Sequence, residues 1–179
     1  ALLLPAGGGL VYCADDEGAV EVATAVQAKR RDISLIPYGF KASGPWQILW
    51  AREGDGENEF ALSDGEELKL RLPGRHTVLD AVGALALIHR LIGKKTGFSQ
   101  AEAISIKKAL LEFKGSKRRS EIVGMAGDVL IMDDYGHHPR AIASTLAGNI
   151  TPNHCQKVVR LLGGFKFNFN YPFSTAVNC

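Results

Sequence analysis

Apolar positions along the chain follow two periods in succession, and the change between them outlines the architecture. Gly9 to Asp16 (GLVYCADD) reads as a short buried strand that ends in two acids. Glu17 to Arg31 places alanines and valines at helical spacing and closes on a basic turn, which suits the helix dipole. Asp32 to Phe40 (DISLIPYGF) then returns to a strand-like run. Strand, helix, strand is the signature of a parallel sheet with covering helices.

After Gly44 the period drops to two. PWQILWARE, NEFAL and ELKLRL alternate apolar and polar residues, and the glycine-containing breaks GDG and SDG separate them. This is the antiparallel pattern, and it predicts two or three strands with Leu68, Leu70 and Leu72 on a buried face. Helical spacing resumes over 73–93, where Val78, Leu79, Val82, Leu85, Ala86 and Ile92 share one wide face and Gly93 marks the stop. A second helix follows, with Ser99 and Glu102 spaced as a capping box and Gly115 as its stop. SKRRSEIVGMAGD is irregular, basic and glycine-containing, as a linker would be. It sets a domain boundary near Gly124, dividing the chain into 1–123 and 124–179. Beyond it, VLIMDD predicts a fresh buried strand, HHPRAIASTLAG a helix with Pro139 in its first turn, and KVVRLLGGF another strand. The aromatic, asparagine-rich end has no clear period. The fold class is therefore α/β, a mixed sheet with helices followed by the start of a second α/β unit.

Composition adds limits rather than detail. Of 179 residues, 46% are apolar and 22% charged, an ordinary globular balance. The net charge of +2 gives no argument for a nucleic-acid or membrane partner. Cys13, Cys155 and Cys179 are widely spaced and form no zinc pattern or disulfide framework, so a reducing cytoplasm is the default. No apolar run approaches the roughly 20 residues that a membrane helix needs. The opening ALLLPAGGGL lacks the basic flank of a signal peptide. The first residue is Ala rather than Met, so an excised piece is expected. A partial sheet would leave an open edge, which invites a homodimer.

Three stretches carry candidate chemistry. In MDDYGHHP, Asp133 and Asp134 end an apolar strand, and His137 and His138 open the next helix. Ligands of open α/β sheets bind at such strand ends, and helix N-termini attract anions. The acids suit a ribose and the histidines a phosphate. The structural alternative is an internally packed Asp133 and a helix-capping histidine, and a third reading is a metal held by two Asp and two His. In PGRHTVLDA, His76 and Asp80 are four apart on one helical face, suited to clamp a flat polar base or simply to make a local contact. In FKGSKRRSE, four basic residues fall within six positions, Lys114, Lys117, Arg118 and Arg119. They suit a solvated face or an arginine that stabilises charge in phosphoryl transfer. PAGGGL reads as a turn rather than a phosphate loop, because it precedes a strand and lacks a Gly-Lys-Thr ending.

Taken in order, PGRH before an alanine-rich helix, F-x-G-x-x-RR-x-E and DDYGHHP resemble the Mur ligases of peptidoglycan synthesis, over roughly residues 5 to 150. The resemblance implies the second half of a P-loop-type central ATPase domain, then the start of a Rossmann-like C-terminal domain. It implies a ligase that uses ATP and Mg2+, phosphorylates the muramoyl carboxylate of UDP-N-acetylmuramate and joins L-alanine to it. The related ligase for a recycled tripeptide is the alternative, and Tyr135 with Gly136, where that enzyme tends to Phe-Ala, favours alanine. By the same resemblance His76 and Asp80 lie at the adenine, Arg119 reaches the terminal phosphate, and Asp134 holds the ribose with Tyr135 beside it. His137 and His138 lie near the reacting groups.

Two departures from the family pattern stand out. Thr77 and Asp80 occupy positions where asparagines are usual, so Asp80 keeps an acceptor and loses an amide donor. The Gly-Lys-Thr phosphate loop and the expected magnesium ligands are not among these residues. A chain without them is expected to be inactive alone, and a non-catalytic nucleotide-binding remnant is the reading from another class.

Overall fold

The computed structural model of the chain describes residues 3–54, 56–93, 98–126, 129–135, 143, 145 and 157–161. It forms two compact units, Ala1–Phe113 and Lys114–Cys179.

In the first unit, β1 (Gly9–Cys13) and β2 (Ser34–Tyr38) pair in parallel, with Gly9 opposite Ser34 and Cys13 opposite Tyr38. Helix α1 (Glu17–Lys29) makes the crossover between them. Asp16 caps it by accepting from the Ala19 amide at 2.8 Å, and Ala23 and Val26 form its buried seam. The period-two stretch becomes a meander, β3 (Ile48–Glu53), β4 (Asn58–Leu62) and β5 (Glu67–Leu70). A bulge between Ile48 and Trp50 interrupts the β3–β4 register.

Helix α2 (Arg75–Leu91) packs on β1 to β4 and closes the core. Its Val78, Val82, Leu85 and Ala86 meet Trp46, Ile48, Phe60, Leu62, Leu68 and Leu70, while Leu72 and Leu79 are partly buried against them. Each such large apolar side chain contributes about 1.5–3 kcal/mol when fully buried. Ile92 departs from the expected face: it is 51% exposed, because the helix ends at Leu91 and helical spacing no longer governs it. Helix α3 (Gln100–Glu112) begins with the expected capping box between Ser99 and Glu102. Its Ile106 and Leu110 pack against the same core.

In the second unit, β6 (Glu121–Ala126) runs antiparallel to β7 (Val129–Asp133), and β7 runs parallel to β8 (Lys157–Leu161). The segment expected to be an irregular linker is thus partly a strand, and Gly124 lies within it. Hydrogen bonds from β7 stabilise β6 although glycine and exposed Ile122 and Val123 weaken its own pattern. Of the helix expected over 137–148 only Ala143 and Thr145 are described, both helical, and the rest of it and the chain after residue 161 lie outside the described residues.

Candidate functional site

The ends of β1 and β2 meet the start of α2, and local residues hold that junction in shape. Asp15, two residues after β1, accepts from the Phe40 amide at 2.7 Å and the Lys41 amide at 3.2 Å. Gly39, at φ +121°, allows this approach, since a Cβ there would collide with the Asp15 carboxylate. The Arg75 guanidinium lies 3.6 Å over the Phe40 ring.

The turn that leads into α2 is fixed from beneath. Asn58 of β4 is fully buried (0% exposed), and its amide donates to the carbonyls of Leu72 at 2.6 Å and Gly74 at 3.1 Å and to Thr77 Oγ1 at 3.2 Å. Thr77 Oγ1 in turn donates to the Gly74 carbonyl at 2.7 Å. The turn is therefore tied down on both sides of His76. His76 is half-buried, and its Nδ1 is enclosed with no hydrogen-bond partner. Asp80, one turn later, is exposed, and no hydrogen bond or ion pair joins it to His76. Tyr38 packs beneath, so close to α2 that a Cβ on Gly83 would stand 2.8 Å from its ring. Burial pushes the Tyr38 phenol up from its usual range, helped by neighbouring Cys13, Asp80 and Asp15.

A second cluster forms in the other unit. Arg119 sits in a turn between two residues in left-handed backbone, Arg118 at φ 59° and Ser120 at φ 48°. The tip of β7 grips this turn. Asp133 pairs with Arg118 at 3.5 Å, and Tyr135 donates its amide to the Arg118 carbonyl at 2.6 Å. Asp134 is 5% exposed, and its Oδ2 accepts from the Ser120 amide at 2.9 Å, Ser120 Oγ at 3.3 Å and Thr145 Oγ1 at 3.3 Å. Both guanidiniums lie over the Tyr135 ring, at 5.2 Å for Arg118 and 5.8 Å for Arg119. Tyr135 itself is 43% exposed.

Two stretches that the sequence treats separately, the basic run and the DDY triplet, are thus one cluster. His76 and Asp80 lie in the other unit, and His137 and His138 fall outside the described residues. Among the described residues no group of three or more His, Cys, Asp or Glu is disposed to hold a metal. Asp15, Asn58 and Ser120 were not singled out by sequence. Asp15 carried a partial signal as one of two acids at a strand end, whereas Asn58 and Ser120 sit in an ordinary alternating strand and a basic run.

No family model matches the chain. It is 42% identical over 147 residues to the UDP-N-acetylmuramate–L-alanine ligase of Treponema pallidum (strain Nichols), covering 81% of this chain and 31% of that protein. It is 36% identical over 147 residues to the enzyme of the same name from Acidothermus cellulolyticus, covering 80% of this chain and 29% of the relative. The chain therefore spans less than a third of the length of these relatives. In fold it is similar to MurF from Acinetobacter baumannii, with a TM-score of 0.61 at 21% identity over 79% of this chain and 30% of that one.

Proposed function

The chain belongs to the Mur ligase family, and on that premise we propose that it is part of an ATP-dependent ligase joining L-alanine to UDP-N-acetylmuramate. In that reaction a carboxylate takes a phosphoryl group from ATP, the alanine amine attacks the acyl phosphate, and the tetrahedral intermediate collapses to an amide with release of phosphate. ATP complexed with Mg2+ supplies the phosphoryl group, and the metal's ligands are assigned outside the described residues.

This chain's own residues have narrower tasks in the proposal. His76 presents an enclosed ring nitrogen, Nδ1, that lacks a partner, which fits a hydrogen bond to adenine. Asp80 adds an acceptor at the same helix entry. Arg119 offers a permanent cation to the terminal phosphate, and Asp134 and Tyr135 border the ribose. His137 and His138, outside the described residues, are assigned to the reacting groups by the family resemblance alone. The domain assignment follows the same reading, with 1–123 as the second half of the ATP-binding part and 124–179 as the start of the Rossmann-like part; the two compact units divide ten residues earlier, between Phe113 and Lys114. A cytoplasmic location and a reducing environment accompany it; no helix among the described residues is long and apolar enough to cross a membrane.

The observation that carries the reading is the cluster at the tip of β7, where the basic run and the DDY triplet become one basic, aromatic site. The test is alanine-dependent phosphate release by the full-length enzyme. Arg119→Ala should lower kcat by a factor of roughly 10³, the scale on which phosphate-binding arginines act. Unchanged turnover would remove Arg119 from the mechanism. Substituting the recycled tripeptide for alanine should give no release, and release with the peptide alone would move the assignment to the recycling ligase.

A non-catalytic nucleotide-binding role for the 179-residue chain itself is favoured by one observation, that its sequence contains no Gly-Lys-Thr loop. Calorimetry with ATP tests it: binding lost in His76→Ala supports a working base pocket, and no heat with the parent chain rejects one. The open β1–β2 sheet also makes self-association of this chain an expected outcome in sedimentation.

A further inference from the structure

Arg119 is the residue to which the proposed phosphoryl transfer gives most charge stabilisation, yet its own contacts hold it only loosely. Its side chain is exposed, and its guanidinium rests 5.8 Å from the Tyr135 ring. What fixes its direction is the backbone on either side. Arg118 and Ser120 both adopt left-handed φ, a region disfavoured for residues with a Cβ because it crowds the following carbonyl. Two such residues flanking one arginine persist only where surrounding contacts over-determine them.

Those contacts converge on Asp134. One oxygen, Oδ2, takes both the amide and the hydroxyl of Ser120, and the hydroxyl of Thr145 binds the same atom. The carboxylate is almost fully withdrawn from solvent, so these charge-assisted bonds are strong and their loss is not made good by water. On the other side of the turn, Arg118 is held by its amide to Glu121 at 2.7 Å, its carbonyl to Tyr135 and its guanidinium to Asp133. The Arg119 amide closes the turn onto the Ser116 carbonyl at 3.1 Å.

We propose that Asp134 is a positioning residue that works through Arg119: by clamping Ser120 in left-handed backbone it aims the arginine at the transferring phosphate. The inference rests on the phosphoryl-transfer reading above. It adds to the ribose contact proposed above: a ribose contact sets nucleotide affinity, whereas a residue that also sets the aim of Arg119 alters turnover. A misdirection of about 1 Å is enough to cost on the order of a hundredfold in rate.

The test is a mutant cycle in the full-length enzyme with three readouts: kcat, KM for ATP, and the rate of limited tryptic cleavage after Arg118 and Arg119. Asp134→Asn should lower kcat roughly ten- to a hundredfold and speed cleavage at the turn, with any rise in the KM for ATP attributed to the ribose contact; Ser120→Ala, which leaves that contact in place, should lower kcat with the KM for ATP within about twofold. The double variant Asp134→Asn with Arg119→Ala should be no slower than Arg119→Ala alone, since an arginine that is gone has no aim to lose. Adding Ser120→Gly to Asp134→Asn should restore part of the lost kcat, because glycine takes φ 48° without a clamp. Additive losses in the cycle, or a raised KM with kcat unchanged, would overturn the inference and leave Asp134 with the ribose contact alone. Faster cleavage in Asp134→Asn with Arg119→Ala at full activity would instead reject the phosphate role while the clamp itself stands. If Asp134→Asn does not accumulate as folded protein, Ser120→Ala takes its place, with a smaller fall in kcat and the same non-additivity required.

Discussion

The two turns that present candidate site residues solve one problem with different materials. The turn before α2, in the first unit, is built from glycine and neutral hydrogen bonds: Gly74 sits at φ 91°, and the fully buried amide of Asn58 ties down the carbonyls around it. The arginine turn in the second unit has no glycine at its left-handed positions; the buried carboxylate of Asp134 holds Ser120, and the carboxylates of Glu121 and Asp133 hold Arg118, where they would not settle alone. Strain that glycine absorbs silently in one unit is carried by charge in the other. The first turn should therefore be sensitive to added side-chain bulk and lost amides, and the second to lost charge.

The sharpest way to break that contrast is Gly39→Ala in the first unit. At φ +121° a Cβ is strained and meets the Asp15 carboxylate, so the 179-residue chain should lose about 3 kcal/mol in urea unfolding. Little change would mean that Asp15 does not organise the β2 end. Next is Asn58→Ala, which removes the buried amide that ties the Leu72 and Gly74 carbonyls and Thr77 Oγ1 together. A loss of about 2 kcal/mol is expected, with weaker ATP binding by calorimetry, because the His76 turn loosens.

Smaller effects sharpen the comparison. Ser99→Ala removes the capping box of α3 and should lower stability by about 1 kcal/mol without changing ATP binding, since no residue of α3 is assigned to the nucleotide. Ser120→Gly alone should change stability by less than about 1 kcal/mol, relieved backbone strain offsetting a lost hydroxyl bond; a large loss would show that the hydroxyl rather than the backbone is the clamped element. The last prediction concerns pH. The folded Tyr38 phenol titrates above its unfolded value of 10.0, chiefly through burial, so the native state holds its proton longer than the unfolded chain does. Stability is then full below about pH 10 and falls as pH rises beyond it. Tyr38→Phe should flatten that alkaline limb, and an unchanged limb would assign it to other groups.

How much of this was readable beforehand follows from the range of each interaction. The parallel pair, the meander, the α2 face and the Ser99 cap are consequences of local period and capping chemistry, and they appear where the pattern placed them. Ile92 failed because periodicity says which face a residue takes but not where a helix stops. The linker reading of 116–128 failed over Glu121–Ala126, because β6 is stabilised by β7, a partner that no local window contains.

The roles of Arg119, Asp134 and Tyr135 came from the family resemblance; from the pattern of residues alone came the alternation that sets each strand's inner face, the helical stripe that closes the core, and the shared face of His76 and Asp80. These rest on spacings of two to four residues, which fold geometry translates directly into faces. Tertiary structure alone decided that Arg118 and Ser120 adopt left-handed backbone, that Asp134 turns inward to hold Ser120, and that Asn58 reaches fourteen to sixteen residues along the chain to fix the α2 entry. Such bonds join groups distant in sequence whose partners are ordinary polar residues, and only the folded chain brings them within reach of one another.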